Sequence, residues 1–547
     1  MDSVNLPVTW LLGIGAAWLL WRWSHVNTVD KVVNNLPGPP SHSWWKGNVE
    51  QFFHRHGHEF QKQVALNYGS VVKLDALFGN KMLYVSDAKA LHTILVKEEQ
   101  IFEETPSFTA LNTLMFGPGL TSSSGDRHRR QRKMLNPVFS VNHMRHMLPI
   151  FYKVVHKLRD AVSTEIINGQ NEIDMLGWMG RTALELIGQG GLGYSFDPLV
   201  ENVKNDYGDA LKALLPSLMG IEMLRRLAPF VYKMGPSWLR RLVVEKYPNE
   251  NVQKMKSSID MMSNKSEEIY ESKKAALAKG DEAMLKQLGE GKDIMSILIR
   301  ANSTASEADK LPEDELVAQM STLIFAAMDT TSNSLSRILH VLAEHRDVQE
   351  KLRLELLEAN AADGLTYDEL NRLPLLDAVC RETLRVYPPV TILLRVPTKD
   401  TVLPLSAPII GVDGNHISEV PIAKGTDVII GTYGSNMNKA LWGEDALEWK
   451  PERWLKPLPE AVTNAPIPAV YSNLMTFLGG KRACIGFKFS EMEMKVVLAV
   501  LLSSFTVEMS DKPIEWNVAG VWYPTVGKQS DQPQLPMKLS LYKGPKS

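Results

Sequence analysis

The chain has 547 residues, with 60 basic and 62 acidic side chains and a formal net charge of −2. So even a balance supplies no bulk field for a polyanion, and no nucleic-acid partner is expected. Only two cysteines occur, Cys380 and Cys484; if the second binds a metal, no disulfide is possible within the chain, which matches the reducing cytosolic side of a membrane. Between residues 50 and 540 there is no long Ser/Gly- or Pro-rich linker and no internal repeat, so one large helix-rich domain is expected where length alone would allow three or four.

Residues 6–21, LPVTWLLGIGAAWLLW, form an uncharged apolar run slightly shorter than the ~20 residues of a membrane-spanning helix. Trp10, Trp18, Trp21 and Trp23 suit the membrane interfaces, and Arg22, His25 and Lys31 follow the run whereas only Asp2 and the amino terminus precede it, which points the positive end at the cytosol. An uncleaved anchor over 1–25 is preferred to a signal peptide, because the run lacks a basic lead-in and a clear small-x-small site. The prolines of LPGPP, 36–40, restrict the chain to extended and turn conformations, giving a hinge within 26–45 ahead of a catalytic domain over 46–547. Alternation in VVKLDALFGNKMLYVS, 71–86, around Gly79 and Asn80 predicts a hairpin.

Residues 105–122, TPSFTALNTLMFGPGLTS, lack clean periodicity and read as an apolar loop. DRHRRQRK, 126–133, is strongly basic, either a solvated helix face or a patch for an acidic partner using Arg127, Arg129, Arg130 and Lys133. The stretch 214–242 mixes apolar residues with paired arginines, as either a membrane-interface segment or core helices with arginine caps would.

A long helix is predicted from Pro312 at N1, with Glu313, Asp314 and Glu315 in its first turn, to about His345. Its centre, FAAMDTTS at 325–332, sets Asp329 beside Thr330 in an apolar run; a threonine bonding its own backbone is the ordinary explanation. LPLLDAVCRETLRVYPP, 373–389, is another helix, stopped by two prolines, with Glu382 and Arg385 on one face. Alone, that spacing usually marks a surface ion pair. In FLGGKRACIG, 477–486, Gly479, Gly480 and Gly486 let the backbone curl around Cys484. Phe489, Met492, Val496, Val497, Val500 and Leu501 then recur at helical spacing, so the sulfur sits at a helix N-terminus whose dipole favours a thiolate, a soft metal ligand. Arg482 suits an anionic group beside that metal.

Phe477, Gly480, Arg482, Cys484 and Gly486 fill every fixed position of Phe-x-x-Gly-x-Arg-x-Cys-x-Gly, and by this run the chain resembles the cytochrome P-450 family. The resemblance implies a mainly α structure with small β-sheets (α+β), the cytochrome P-450 fold, as one large helical domain preceded by a transmembrane anchor. It implies haem b, iron protoporphyrin IX, with Cys484 as axial thiolate. His128 and Arg132 stand where the family's Trp-x-x-x-Arg contacts a haem propionate; His128 is a departure, although its N–H can donate the same bond. Arg395 matches another propionate contact. Ala326, Met328, Asp329, Thr330 and Thr331 fit Ala-Gly-x-Asp/Glu-Thr-Thr, with Ala327 replacing the glycine that would ease a local helix opening. Arg453, in WKPERW at 449–454, would complete a buried network with Glu382 and Arg385. Phe108, Leu111, Met115, Ala326, Ile392 and Val521 fall in segments that line the family's substrate cavity.

The implied activity is monooxygenation: one atom of O2 enters a C–H or double bond of a hydrophobic molecule of the terpenoid, steroid, fatty acid or aromatic class, with Asp329 and Thr330 delivering protons. With no flavin-binding region or Gly-x-Gly-x-x-Gly run, electrons are expected from a separate NADPH–cytochrome P-450 reductase, with a cytochrome b-type donor as a second source. Membrane lipid is the other expected partner, at the endoplasmic reticulum with the catalytic domain cytosolic, as in fungal microsomal members. Two alternatives stay open: an O2-independent isomerase or dehydratase, which usually lacks the acid and alcohol pair, and a non-catalytic haem-binding membrane protein, which would show degraded oxygen-side residues.

Overall fold

The computed structural model describes Gly13 and residues 28–200, 206–280, 283 and 291–544. The predicted hairpin forms, Val71–Asp75 pairing antiparallel with Lys81–Val85. Its connection turns through Phe78 and Gly79, at left-handed φ of 56° and 73°. Lys81–Val85 pairs in turn with Asp427–Ile430, then Leu394–Pro397, then Phe102–Glu103, a five-stranded sheet that brings Arg395 beside the residues that follow Phe102. The LPGPP segment is docked on this sheet. Leu36 is buried, the Lys73 N–H donates to the Pro37 carbonyl at 2.9 Å, and a Cβ on Gly38 would meet the Lys73 carbonyl oxygen at 2.0 Å.

Helices make up the main core. The long helix runs unbroken over Glu313–Glu344, with Pro312 as its N-cap, so it starts one residue later than the predicted N1 at Pro312. It packs against the helices Met175–Leu186 and Phe487–Ser504, and the last of these against Val141–Ile167. Leu316, Met320, Ile324, Leu335, Leu339 and Leu342 are all buried, so the long helix is covered on most sides.

The reading of 105–122 as a loop is corrected: Pro106–Phe116 is a helix. Thr105 caps it by accepting from the Phe108 N–H, and Pro106 occupies the first turn, where its missing donor costs nothing. Its apolar residues are spread around the helix, not along one stripe, because several faces are covered; Phe116, for example, lies against Phe325 of the long helix with ring centroids 4.8 Å apart. The 214–242 stretch divides. Leu214, Leu218 and Ile221 are core, whereas Leu227, Phe230, Trp238 and Leu242, in or beside the helices Ala228–Lys233 and Ser237–Lys246, are exposed. No helix among the described residues is long and apolar enough to cross a membrane. The predicted anchor, 6–21, lies outside the described residues except for Gly13.

Glu382 and Arg385, on the helix Pro374–Val386, are fully buried, which overturns the surface-pair explanation. Their contact is bidentate, both bonds 2.8 Å, and the Glu382 carboxylate also accepts from the Trp454 indole and the Lys450 N–H, each at 2.9 Å. Arg453 joins at 3.5 Å, although its nearer carboxylate is Asp445 at 2.9 Å. Arg385 reaches on to the carbonyls of Asn436, Ala446 and Glu448. The Asn436 side chain then accepts from the Met475 N–H and donates to Thr476, so the network ends on the loop that carries Cys484. Removing one partner of a buried pair leaves the other uncompensated, so Glu382→Gln is expected to cost about 3–5 kcal/mol, read as a lower midpoint in urea unfolding.

Candidate functional site

Tight backbone geometry shapes the cysteine loop. Leu478 and Gly480 take positive φ of 55° and 69°, and a Cβ at Gly480 would stand 1.9 Å from the Leu95 carbonyl oxygen. Only glycine fits there. The Cys484 N–H donates to the Phe477 carbonyl at 2.8 Å, and Gly486 is the N-cap of the helix Phe487–Ser504. Cys484 is exposed although its neighbours Ala483 and Phe489 are buried, and its thiol is nonetheless pushed up by burial. Its accessible face therefore opens on interior space and not on bulk water. The Gly486 N–H and the charge of Arg132 pull the other way without winning. The helix terminus that the sequence offers as a stabiliser of a thiolate thus acts against burial, and a metal on the sulfur would deprotonate it outright.

Next to this loop, His128, Arg395 and Arg482 line one cavity of about 200 Å³. Arg482 donates to the Ser123 carbonyl at 2.7 Å, and Arg395 pairs with Glu104 at 2.8 Å. Burial, reinforced by Arg482 and Arg132, pushes His128 down to about 3, so it is a neutral imidazole that can offer an N–H but no charge. Arg132, predicted beside His128 as a propionate contact, is turned to the cysteine loop, where it donates to the Ala483 carbonyl at 2.5 Å. An accessible cysteine on interior space, beside two guanidinium groups and an imidazole in one cavity, fits a metal macrocycle bearing carboxylates.

The long helix has an accessible strip at its centre. Ala326 is exposed between buried Ile324 and Met328. The Thr331 hydroxyl lies 3.1 Å from that of Ser490, tying this strip to the helix that follows Cys484. Thr330 donates to the Ala326 carbonyl at 2.7 Å, the ordinary back-bond, and the helix does not open at Ala327. Burial pushes Asp329 up to about 6 against the opposing pull of Lys212 and a 3.1 Å bond from Asn333. Lys212, itself pushed down by burial, shares with Asp329, Asn333 and Val521 a cavity of about 10 Å³, room for about one water. Of the other predicted substrate residues, Leu111 is half-buried against the main core, Met115 belongs to that core, Ile392 packs on the cluster around the N-terminal sheet, and Phe108 is 37% exposed.

Most of the basic run 126–133 is already paired: Arg127 with Glu315, Arg129 with Asp126 and Lys133 with Asp309. Lys212, Asn333, Glu104 and Ser123 were missed from sequence. Asn333 could have been found by its i+4 spacing from Asp329; the others meet their partners only through the fold.

Comparison with known proteins gives one answer along the chain. Residues 37–529 match the family described as Cytochrome P450. Cytochrome P450 monooxygenase 212 of Postia placenta is 64% identical over 97% of this chain and 98% of its own length. Monooxygenase 219 of the same fungus is also 64% identical, over 97% and 98%. A ganoderic acid synthetase of Ganoderma lucidum is 48% identical over 96% and 97%.

Because Asp329 holds its proton more tightly folded than unfolded, its burial weakens the fold as pH rises from about 4 through about 6. Asp329→Asn cannot titrate. Parallel urea titrations should show it gaining on wild type by at most about 3 kcal/mol between pH 4 and 7.5; a gap that stays constant would be the contrary result.

Proposed function

The chain belongs to the cytochrome P450 family, and from that premise we propose that it inserts one oxygen atom of O2 into a hydrophobic small molecule, with electrons from a separate NADPH reductase. Its relatives at 64% identity are cytochrome P450 monooxygenases, and the family's cofactor is haem with a cysteine thiolate. In this chain Cys484 would hold the iron, and Arg482, Arg395 and His128 would face the carboxylates. The observation that carries the reading is Cys484 open to interior space with an acid and an alcohol, Asp329 and Thr330, on the accessible strip tied to the same helix.

Bound there, haem supplies O2 activation, and the thiolate's electron donation favours O–O cleavage. The protein's part is proton supply. Asp329, at about 6, exchanges a proton readily near neutral pH, and Asn333 fixes its carboxylate. The Thr330 hydrogen is committed to Ala326, so this hydroxyl serves as an acceptor that orients a water. Lys212 limits how far burial raises the Asp329 pKa. An O2-independent isomerase or dehydratase usually lacks this pair.

Arg129 and Lys133, 65% and 71% exposed, are the cations we assign to docking an acidic electron donor; their surface pairs are worth under about 1 kcal/mol and are easily exchanged. The exposed Leu227, Phe230, Trp238 and Leu242 form the surface we place against lipid, with 6–21 as a second attachment, at the cytosolic face of the endoplasmic reticulum. The substrate class is hydrophobic, and the name of the Ganoderma relative directs the first screen to precursors of ganoderic acid.

The carbon monoxide difference spectrum of the reduced protein should show a strongly red-shifted Soret band that Cys484→Ala abolishes; a variant that keeps the band would remove Cys484 from the axial position. With reductase and a turned-over substrate, Thr330→Ala should still consume NADPH but release hydrogen peroxide in place of product. Unchanged coupling would exclude Thr330 from proton supply.

A further inference from the structure

Arg337 lies two turns beyond Thr330 on the long helix, about 10 Å along it. Its guanidinium carbon stands 3.4 Å from the ring centroid of Trp516, 4.4 Å from that of Tyr387 and 5.5 Å from that of Trp522. The cage is braced from behind. The Trp516 indole N–H donates to His340 Nδ1 at 2.8 Å, and burial, with the charge of Arg337, pushes His340 down to about 4, keeping that nitrogen an acceptor. Aromatic faces satisfy the faces of a guanidinium but not its edge, where its five N–H donors lie. No hydrogen bond or ion pair reaches Arg337 among the described residues, and its Nε is buried without a partner, as is the Trp522 indole N–H. A buried donor left unmade costs about 1–3 kcal/mol, more for a charged group.

The cage opens on a cavity of about 270 Å³ lined also by His58, Gln61, Lys62 and Tyr433, with Glu59 and Glu515 on its wall. Neither carboxylate lies within ion-pair distance of Arg337. Glu59 is beside His58 at 3.4 Å and Glu515 beside Lys528 at 4.0 Å. A planar acceptor with two oxygens meets a guanidinium edge bidentately, and indole and phenol walls suit an apolar body behind it. We propose that this cage binds the carboxylate of a small organic acid, at a site separate from Cys484.

Benzoate is the probe, titrated by calorimetry into the haem-loaded full chain, with neutral benzamide and inorganic phosphate as comparisons. Benzoate should bind one site per chain, at least tenfold more tightly than either comparison and unaffected by saturating the haem iron with 1-phenylimidazole. Arg337→Met should weaken it at least tenfold, and Arg337→Lys, which keeps the charge without the planar fork, should recover only part. The benzamide comparison needs no variant, so the test survives if Arg337→Met fails to fold. The proposal is overturned by no saturable binding, by benzamide or phosphate binding as well as benzoate, by displacement with 1-phenylimidazole, or by unchanged affinity in Arg337→Met.

Discussion

One buried carboxylate governs the geometry of the site. Glu382 is out of contact with water, and its two oxygens are spent on Arg385, the Trp454 indole and the Lys450 N–H, with Arg453 close by. One donor, Arg385, comes from the carboxylate's own helix and the others from the single stretch 450–454, so the set pins that stretch to the helix Pro374–Val386. Isolated charges so placed would oppose folding, and the satisfied set adds little to stability beyond an apolar alternative. Its value is directional. From Arg385 through Asn436 to Met475 and Thr476, each bond leaves the next group few orientations, and the loop holding Cys484 inherits that restriction.

The same logic runs on the opposite side of the interior space. The strip around Ala326 is accessible because the rest of the long helix is covered, and Thr331 with Ser490 holds the two sides in register. Asp329 and Cys484 are both driven toward their neutral forms by burial, but they differ in what opposes it. Lys212 and Asn333 leave Asp329 titrating near neutrality, whereas Cys484 has only one N–H and a guanidinium that is itself bonded to a carbonyl. The same desolvation, with different neighbours, leaves one group poised to exchange protons and the other with less to oppose burial.

Much of this was legible because the informative residues are close together in sequence. Phe477 to Gly486, Asp329 with Thr330, and Glu382 with Arg385 are each contained within a turn or a loop, so each could be matched as a motif, and the resemblance to the cytochrome P-450 pattern, not spacing alone, gave them their expected roles. Two kinds of feature were not legible. The helix Pro106–Phe116 was hidden because its surroundings cover more than one face, which erases the periodicity on which a helix is recognised. The second kind is partner choice: that Arg395 meets Glu104, Arg482 the Ser123 carbonyl and Arg132 the Ala483 carbonyl depends on where the fold brings the five-stranded sheet, the helix Gly125–Leu135 and the cysteine loop together.

The docking of LPGPP on the first strand has a mechanical side. Pro37 and Gly38 are joined to Lys73 by a hydrogen bond and a close backbone approach that no larger residue at 38 would allow. The downstream end of the proline segment is therefore fixed to the strand Val71–Asp75, so whatever direction the chain takes before Leu36 is set relative to the sheet and not to a free loop.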